Sequence, residues 1–474
     1  MARTARVVGT GLLVVVLAGG AYLTADAYDL VPGVLTLAPP APTASPFPVA
    51  PGAVLPTVNP TSLEPLAALS TAAPVPSAAA VQAAVDALAA DPRVGPSIGV
   101  LVTDASTGTV LAEHGSTTPH TPASTAKLVT AVAALGTLDP ASTLATRVVD
   151  GGGGRIVLVG GGDMMLAPGA GDPGVVDGHA GLGDLAAQVA RTLKLAGETT
   201  VRLGVDDSLF TGGATSPGWD PSYEANGFVA PVTAIAVHTA RVHPDVEYSV
   251  RFPDPTLNAA GVFAQRLTEA GITVQGTPTR TQASPDARVL GEVRSARLDQ
   301  LVGYFLDSSD NTIADVVARL VALHQKLPAS FEGSTQAVLH AVSTLGVDVT
   351  GAHLVDASGL AAGSVLPPTL LVQLLRLTVD GTRPALTGVA TGLPIAGLTG
   401  TLFDRFTQSH ARGLVRAKTG SLPNVTSLAG TVITADGRQL LFAVLADQTG
   451  SVGQDPPRRA LDGFVGGLAA CGCR

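Results

Sequence analysis

The stretch GLVRAKTGSLPNVTSLAGTVITADGRQLLFAVLAD, residues 413–447, decides the fold. Three runs rich in aliphatic and β-branched residues are separated by the turn pairs Pro423-Asn424 and Asp436-Gly437, which reads as three consecutive strands. The apolar segment PPRRALDGFVGGLAA, residues 456–470, follows as a closing helix. Near the other end, SIGVLVTDASTGTVLAEHG (97–115) reads as two more strands around a turn at Ser106-Thr107-Gly108. An alanine-rich helix, capped by Ser77, precedes them. Strands at both ends of the chain, flanking helical material, predict one sheet that the two ends complete together.

Between these ends the text changes. From about Arg147 to about Ala287 it is rich in glycine, proline and short strand-like runs (RIVLVGGG, TTVRLGV, VEYSVRF), with one helix-like segment, AAGVFAQRLTEAG. This predicts a β-rich domain inserted over 147–287, with the main α/β (α+β) domain split into 77–146 and 288–474. Helical patterns return at LDQLVGYFLDSSDNTIADVVARLVALH (298–324).

Composition excludes several functions. With 46% hydrophobic and 14% charged residues the chain has ample core material, and its net charge of −9 without a basic patch argues against nucleic acid as a partner. Only two cysteines occur, Cys471 and Cys473, so no disulfide framework staples the body. Nine histidines show no metal-ligand spacing, and none of the sequence calls for a metal or cofactor. Arg3 and Arg6 precede an uncharged run from Val7 to Ala25, the pattern of an export signal over 1–27 that is also just long enough to be a membrane anchor. Residues 28–76 form a Pro/Ala/Thr-rich linker, with 12 prolines between 31 and 80. The chain is expected outside the cytoplasm, secreted or anchored to the outer face of the membrane, and any membrane contact runs through that N-terminal segment.

The chemistry lies in PASTAKLVTA, residues 122–131. Of 28 basic residues only four are lysines: Lys127, Lys194, Lys326 and Lys418. On a helix Ser124 and Lys127 share a face. A serine hydroxyl needs a base to become a nucleophile, and a lysine with a depressed pKa can serve where arginine, always protonated, cannot. Taken alone, this Ser-x-x-Lys is weak evidence, since a helix cap beside a solvated lysine looks the same. Two further motifs follow in order: Ser309-x-Asn311 in SSDN at the start of a helix, and Lys418-Thr419-Gly420 in AKTGS on a strand. In that constellation Ser124 attacks a carbonyl and Lys127 takes its proton. Ser309 relays a proton toward the leaving amine, with Lys418 as the nearby cation that tunes the relay, and Asn311 holds a substrate amide. Thr419 binds a terminal carboxylate, Gly420 leaves room for substrate along the strand edge, and the backbone N–H groups of Ser124 and Ser421 form an oxyanion hole.

With these residues in place the chain resembles the class C low-molecular-mass penicillin-binding proteins, serine D-alanyl-D-alanine carboxypeptidases with endopeptidase activity. LVGGGD (158–163), VDDSLF (205–210), PGWDPSY (217–223), APVTAIAV (230–237), DASGL (356–360) and GLTGTLFDRF (397–406) look like signature stretches of that family, over roughly residues 78–470. The resemblance implies a penicillin-binding/β-lactamase-like five-stranded antiparallel sheet flanked by helices, with a large domain inserted between the first two motifs. It implies peptidoglycan stem peptides as substrates, β-lactam antibiotics as acylating mimics, and no cofactor. It also implies an approach of Asp163 to a substrate amino group, beside the simpler alternative that Asp163 caps backbone N–H groups in a turn. Ala361 and Ala362 stand where the family often has Ser-Arg, which touches side-chain recognition in the stem peptide but not hydrolysis. Asp315 replaces a frequent glutamate, a neutral change. Asp356 and Ser358 read as a structural turn near the site, and Met164 and Met165 as packing. A β-lactamase and an inactive wall-binding scaffold remain the alternative functions.

Overall fold

The computed structural model describes residues 22, 24, 70, 72–450 and 453–471. The chain divides into two units, 1–68 and 69–474. In the first, only Tyr22 and Thr24 are described, both helical. All of the expected export signal but Tyr22 and Thr24, most of the linker and Cys473 therefore lie outside the described residues. Among the described residues no helix is long and apolar enough to cross a membrane.

The second unit opens with helix α1 (Ala78–Ala89) and strands β1 (Ile98–Asp104) and β2 (Val110–His114). Residues 123–126 form a 3₁₀ turn that runs into helix α2 (Lys127–Thr137). At the carboxyl end come β11 (Val415–Leu422), β12 (Val425–Ile433), β13 (Gln439–Ala446) and the last helix, α9 (Asp455–Ala470). These strands form one antiparallel sheet in the order β11-β12-β13-β1-β2, so the two ends complete it as the sequence predicts.

Every residue of β1 is buried, because the sheet is covered on both faces. Alternation along a strand sends neighbours to opposite sides. Leu441, Ala443 and Leu445 of β13 join the core around α2, whereas Leu440, Phe442 and Val444 join the core around α1 and α9. Between α2 and the sheet's other elements lie α5 (Leu298–Asp307), α6 (Asn311–His324), α7 (Phe331–Thr344) and α8 (Pro368–Val379). They enclose α2 so completely that every residue from Lys127 to Leu135 is buried.

The middle segment builds a second sheet from β3 (Thr143–Gly152), β4 (Arg155–Val159), β6 (Thr200–Asp206), β8 (Thr273–Val274), β9 (Thr279–Arg280) and β10 (Val289–Arg297). A separate short pair joins β5 (Asp163–Leu166) and β7 (Ile235–Val237). The segment holds two long helices, α3 (Leu182–Leu195) and α4 (Pro255–Glu269), where the sequence suggested one. Leu185, Val189, Phe263 and Leu267 of these helices share a core with Ile156, Leu158, Leu203 and Val205 of the sheet. The pairing of β4 with β6 is parallel, and a parallel pair requires a crossover, which α3 supplies. The run VEYSVRF is not a strand: only an isolated bridge between Arg241 and Arg251 forms there.

Candidate active site

Two glycines from distant segments seat the nucleophile turn. A Cβ on Gly359, at φ +77, would lie 1.9 Å from the Ala123 carbonyl oxygen. A Cβ on Gly420 would lie 2.1 Å from Ser427 Oγ and 2.7 Å from Pro122 O. Ser427 Oγ donates to that same Pro122 carbonyl at 2.6 Å, as does Thr125 Oγ1 at 2.7 Å. The side of Gly420 where a Cβ would sit is thus filled by Ser427 of β12 and by the turn that carries Ser124, not left for substrate as the sequence suggested. Gly420→Ala is expected to push this turn aside, lowering stability by about 2 kcal/mol and slowing labelling of Ser124 about tenfold or more. Denaturant unfolding and a covalent-labelling time course measure both; parent-like values would mean that the turn tolerates displacement.

Lys127 Nζ meets three atoms: Ser124 Oγ at 2.9 Å, Asn311 Oδ1 at 2.6 Å and Ser358 O at 2.9 Å. The orientation of Asn311 is fixed from its other end, where Nδ2 donates to Phe228 O at 2.8 Å. Two of the lysine's neighbours can only accept. A neutral amine has two N–H bonds and one lone pair. Giving the two N–H groups to Asn311 and Ser358 leaves the lone pair on the Ser124 hydroxyl, which is the arrangement a base requires. Full burial pulls the Lys127 amine down to about 8, against the opposing effect of Asp356 and then of Asp315 and Asp310. Asp315 is itself pushed well up by burial and by Asp356. Asp356 is held in turn by Trp219 Nε1 at 2.7 Å, Ser358 Oγ and the N–H groups of Gly359 and Ala361. DASGL is therefore a turn, as expected, but one whose Ser358 carbonyl touches the candidate base.

The second half of the site mirrors the first. Lys418 Nζ lies 3.0 Å from Ser309 Oγ. Burial holds this amine well below its ordinary value, and the Lys127 charge adds to the effect. Ser309 adopts a left-handed backbone (φ 60), which is costly for a non-glycine residue and aims its hydroxyl just ahead of α6. Asp310 caps that helix by accepting from Ile313 N at 3.0 Å, and its other oxygen meets Arg241 at 3.3 Å. An arginine of the middle segment thereby touches the Ser-x-Asn motif, and nothing in the sequence marks it out.

On β11, Ala417 N–H bonds Pro394 O on the edge away from β12. The two-residue period of a strand then turns the N–H groups of Thr419 and Ser421 to that same open edge. Thr419 Oγ1 donates to Thr401 Oγ1 at 2.8 Å. Ser124, Ser309, Asn311, Thr419 and Ser421 all line one cavity of about 1220 Å³, with both lysines buried behind it. Asp163 does not line it. This residue is buried in β5 and accepts from Met165 N at 2.8 Å, the backbone cap that the sequence left open, and burial pushes its carboxyl up to about 7. Met164 and Met165 are core residues, as expected.

The D-Ala-D-Ala carboxypeptidase 3 (S13) family profile matches residues 81–248 and 245–468. A carboxypeptidase of Mycobacterium tuberculosis is 37% identical over 420 residues, covering 85% of this chain and 86% of its own length. The carboxypeptidase DacB of Mycolicibacterium smegmatis is 35% identical, covering 89% and 91%. The crystal structure of penicillin binding protein 4 of Haemophilus influenzae superposes with a TM-score of 0.68 at 23% identity, over 81% of this chain and 98% of that one, which establishes the shared fold. A second structure of that protein, complexed with a β-lactam, aligns at a TM-score of 0.62 and 24% identity, over the same 81% and 98%. By its sequence over nearly the whole second unit, the chain belongs to the S13 family of D-Ala-D-Ala carboxypeptidases.

Proposed function

We propose that the protein is a serine D-alanyl-D-alanine carboxypeptidase that trims peptidoglycan stem peptides through an acyl-enzyme on Ser124 and is acylated there by penicillin. The observation that carries this is the fully buried Lys127 amine 2.9 Å from the Ser124 hydroxyl, with Asn311 Oδ1 and Ser358 O as its other partners. Ser124 Oγ attacks the carbonyl of the penultimate D-Ala while Lys127 takes its proton. The amide bond to the last D-Ala breaks, and the leaving nitrogen receives a proton through Ser309 and Lys418. Water then cleaves the ester. Developing negative charge on the carbonyl oxygen is met by the N–H groups of Ser124 and Ser421, Asn311 holds the substrate amide, and Thr419 meets the terminal carboxylate. Asp163, outside the cavity lining, and Gly420, whose face is filled, are left out of this assignment.

The same reading places residues 147–287 as a domain inserted between the nucleophile and the Ser-x-Asn motif, and the active unit outside the cytoplasm, behind an export signal or anchor and a linker. The cavity reaches from Ser124 to Asp462 at α9, larger than a dipeptide needs, which favours endopeptidase cleavage of cross-linked peptides as a second activity. Incubating the protein with defined muropeptides and reading products by mass is expected to show loss of terminal D-Ala, with slow release of a penicillin adduct. Rapid penicillin turnover would instead support a β-lactamase, and failure to form any adduct a scaffold.

A further inference from the structure

Five arginines line the cavity, and three of them, Arg405, Arg458 and Arg459, sit on or beside α9. Two of them are neutralised locally, Arg405 by Asp462 and Arg459 by Asp455. Arg458, half-buried on the first turns of α9, has no carboxylate within salt-bridge distance among the described residues. Its Nη2 donates instead to Ser421 Oγ at 2.9 Å. Burial and the neighbouring Arg405 charge both work against this cation, while Asp404 and Asp455 offset them only at longer range. A guanidinium is a donor-only fork that stays charged in proteins, so its unmet demand in a cavity is for an anion.

Ser421 fixes where that anion would sit. It lies two residues beyond Thr419 on the same face of β11, and both side chains line the cavity beside Ser124. Its N–H group points to the open strand edge. We infer that Arg458, acting with the Ser421 hydroxyl, is a specificity-determining residue that reads the free carboxylate of the residue departing from the acyl-enzyme. This rests on the carboxypeptidase reading of the site. It goes beyond that reading by naming a group outside the three motifs that makes the enzyme select chain ends with a free carboxylate over amidated ones. A leaving residue in a cross-link passes the same test if it keeps its α-carboxylate.

The experiment compares one peptide ending in D-Ala-D-Ala with the same peptide as its C-terminal amide, using the full chain. The parent is expected to favour the acid, and Arg458→Gln to lower the acid-to-amide ratio of kcat/KM about tenfold or more, mainly through KM of the acid. Arg458→Lys, which keeps the charge and loses the fork, is expected to retain part of the ratio. A parent-like ratio in Arg458→Gln, whatever its absolute rates, overturns the proposal. So does a parent that cleaves acid and amide equally well, which needs no variant to fold. If the parent cleaves neither and forms no penicillin adduct, the carboxypeptidase reading falls as well.

Discussion

Ser124→Ala is expected to lose D-Ala release and penicillin labelling by a factor of about 10⁴ or more while the protein stays folded. The hydroxyl is the only reacting atom the change removes. Its polar contact is with Lys127 Nζ, which keeps Asn311 Oδ1 and Ser358 O after the substitution. No buried group is orphaned, so the thermal midpoint should move by no more than about two degrees. That separates a missing nucleophile from a broken fold. Intact-mass measurement after incubation with penicillin reads the outcome, and an adduct forming at the parent rate would mean that another hydroxyl, with Ser309 beside Lys418 as the rival in the same cavity, carries the acyl group.

How far this site was legible in the sequence depended on what each signal measured. The three motifs were legible because lysine is rare in this chain and because their helix, helix and strand contexts agree. The sheet was legible because β11, β12 and β13 are contiguous and their turns are written in Pro-Asn and Asp-Gly. Helix α3 was also legible in principle: Leu182, Leu185, Ala186, Val189, Ala190 and Leu193 keep a helical period and are all buried. Gly181, Gly183 and Gly197 in and around that period read as loop text. The run around Tyr248 misled for another reason. Val246, Tyr248 and Val250 alternate as a strand would, yet they are 50%, 59% and 53% exposed. No partner strand covers them, and Tyr248 instead borders the cavity. Local propensity and tertiary placement part company where no strand pairs with the segment. Arg241 and Arg458 could not be read at all, since an arginine's importance here lies in what fails or succeeds to neutralise it, and that is a property of the folded neighbourhood.

The lysine that first marked the site gives the other large effect. Lys127→Met, close in size and unable to take a proton, is expected to slow acylation about 10³-fold. Lys127→Arg should be as poor, because a guanidinium does not surrender its proton at these pH values. In the parent, the acylation rate should climb about tenfold per pH unit below about 8 and level off above it, following the neutral fraction of an amine lowered to about 8. Stability should follow the same group in the opposite sense to a stabilising ion pair. The amine titrates near 8 when folded and at 10.5 in its ordinary state, so between these values the unfolded chain binds more protons and folding gains as pH rises. From pH 8 to 10 that gain is about 2 kcal/mol, and Lys418, displaced in the same direction, adds to it. Tyr304, raised to about 12, opposes the trend only above its ordinary value of 10.0. Chemical denaturation across pH 7–10 should therefore show the parent strengthening and the methionine variant strengthening less. A flat acylation profile from pH 6 to 9, or a methionine variant within tenfold of the parent, would move the base from Lys127 to the Lys418–Ser309 pair. The burial that makes a lysine costly to charge at this position is what leaves its lone pair free for Ser124.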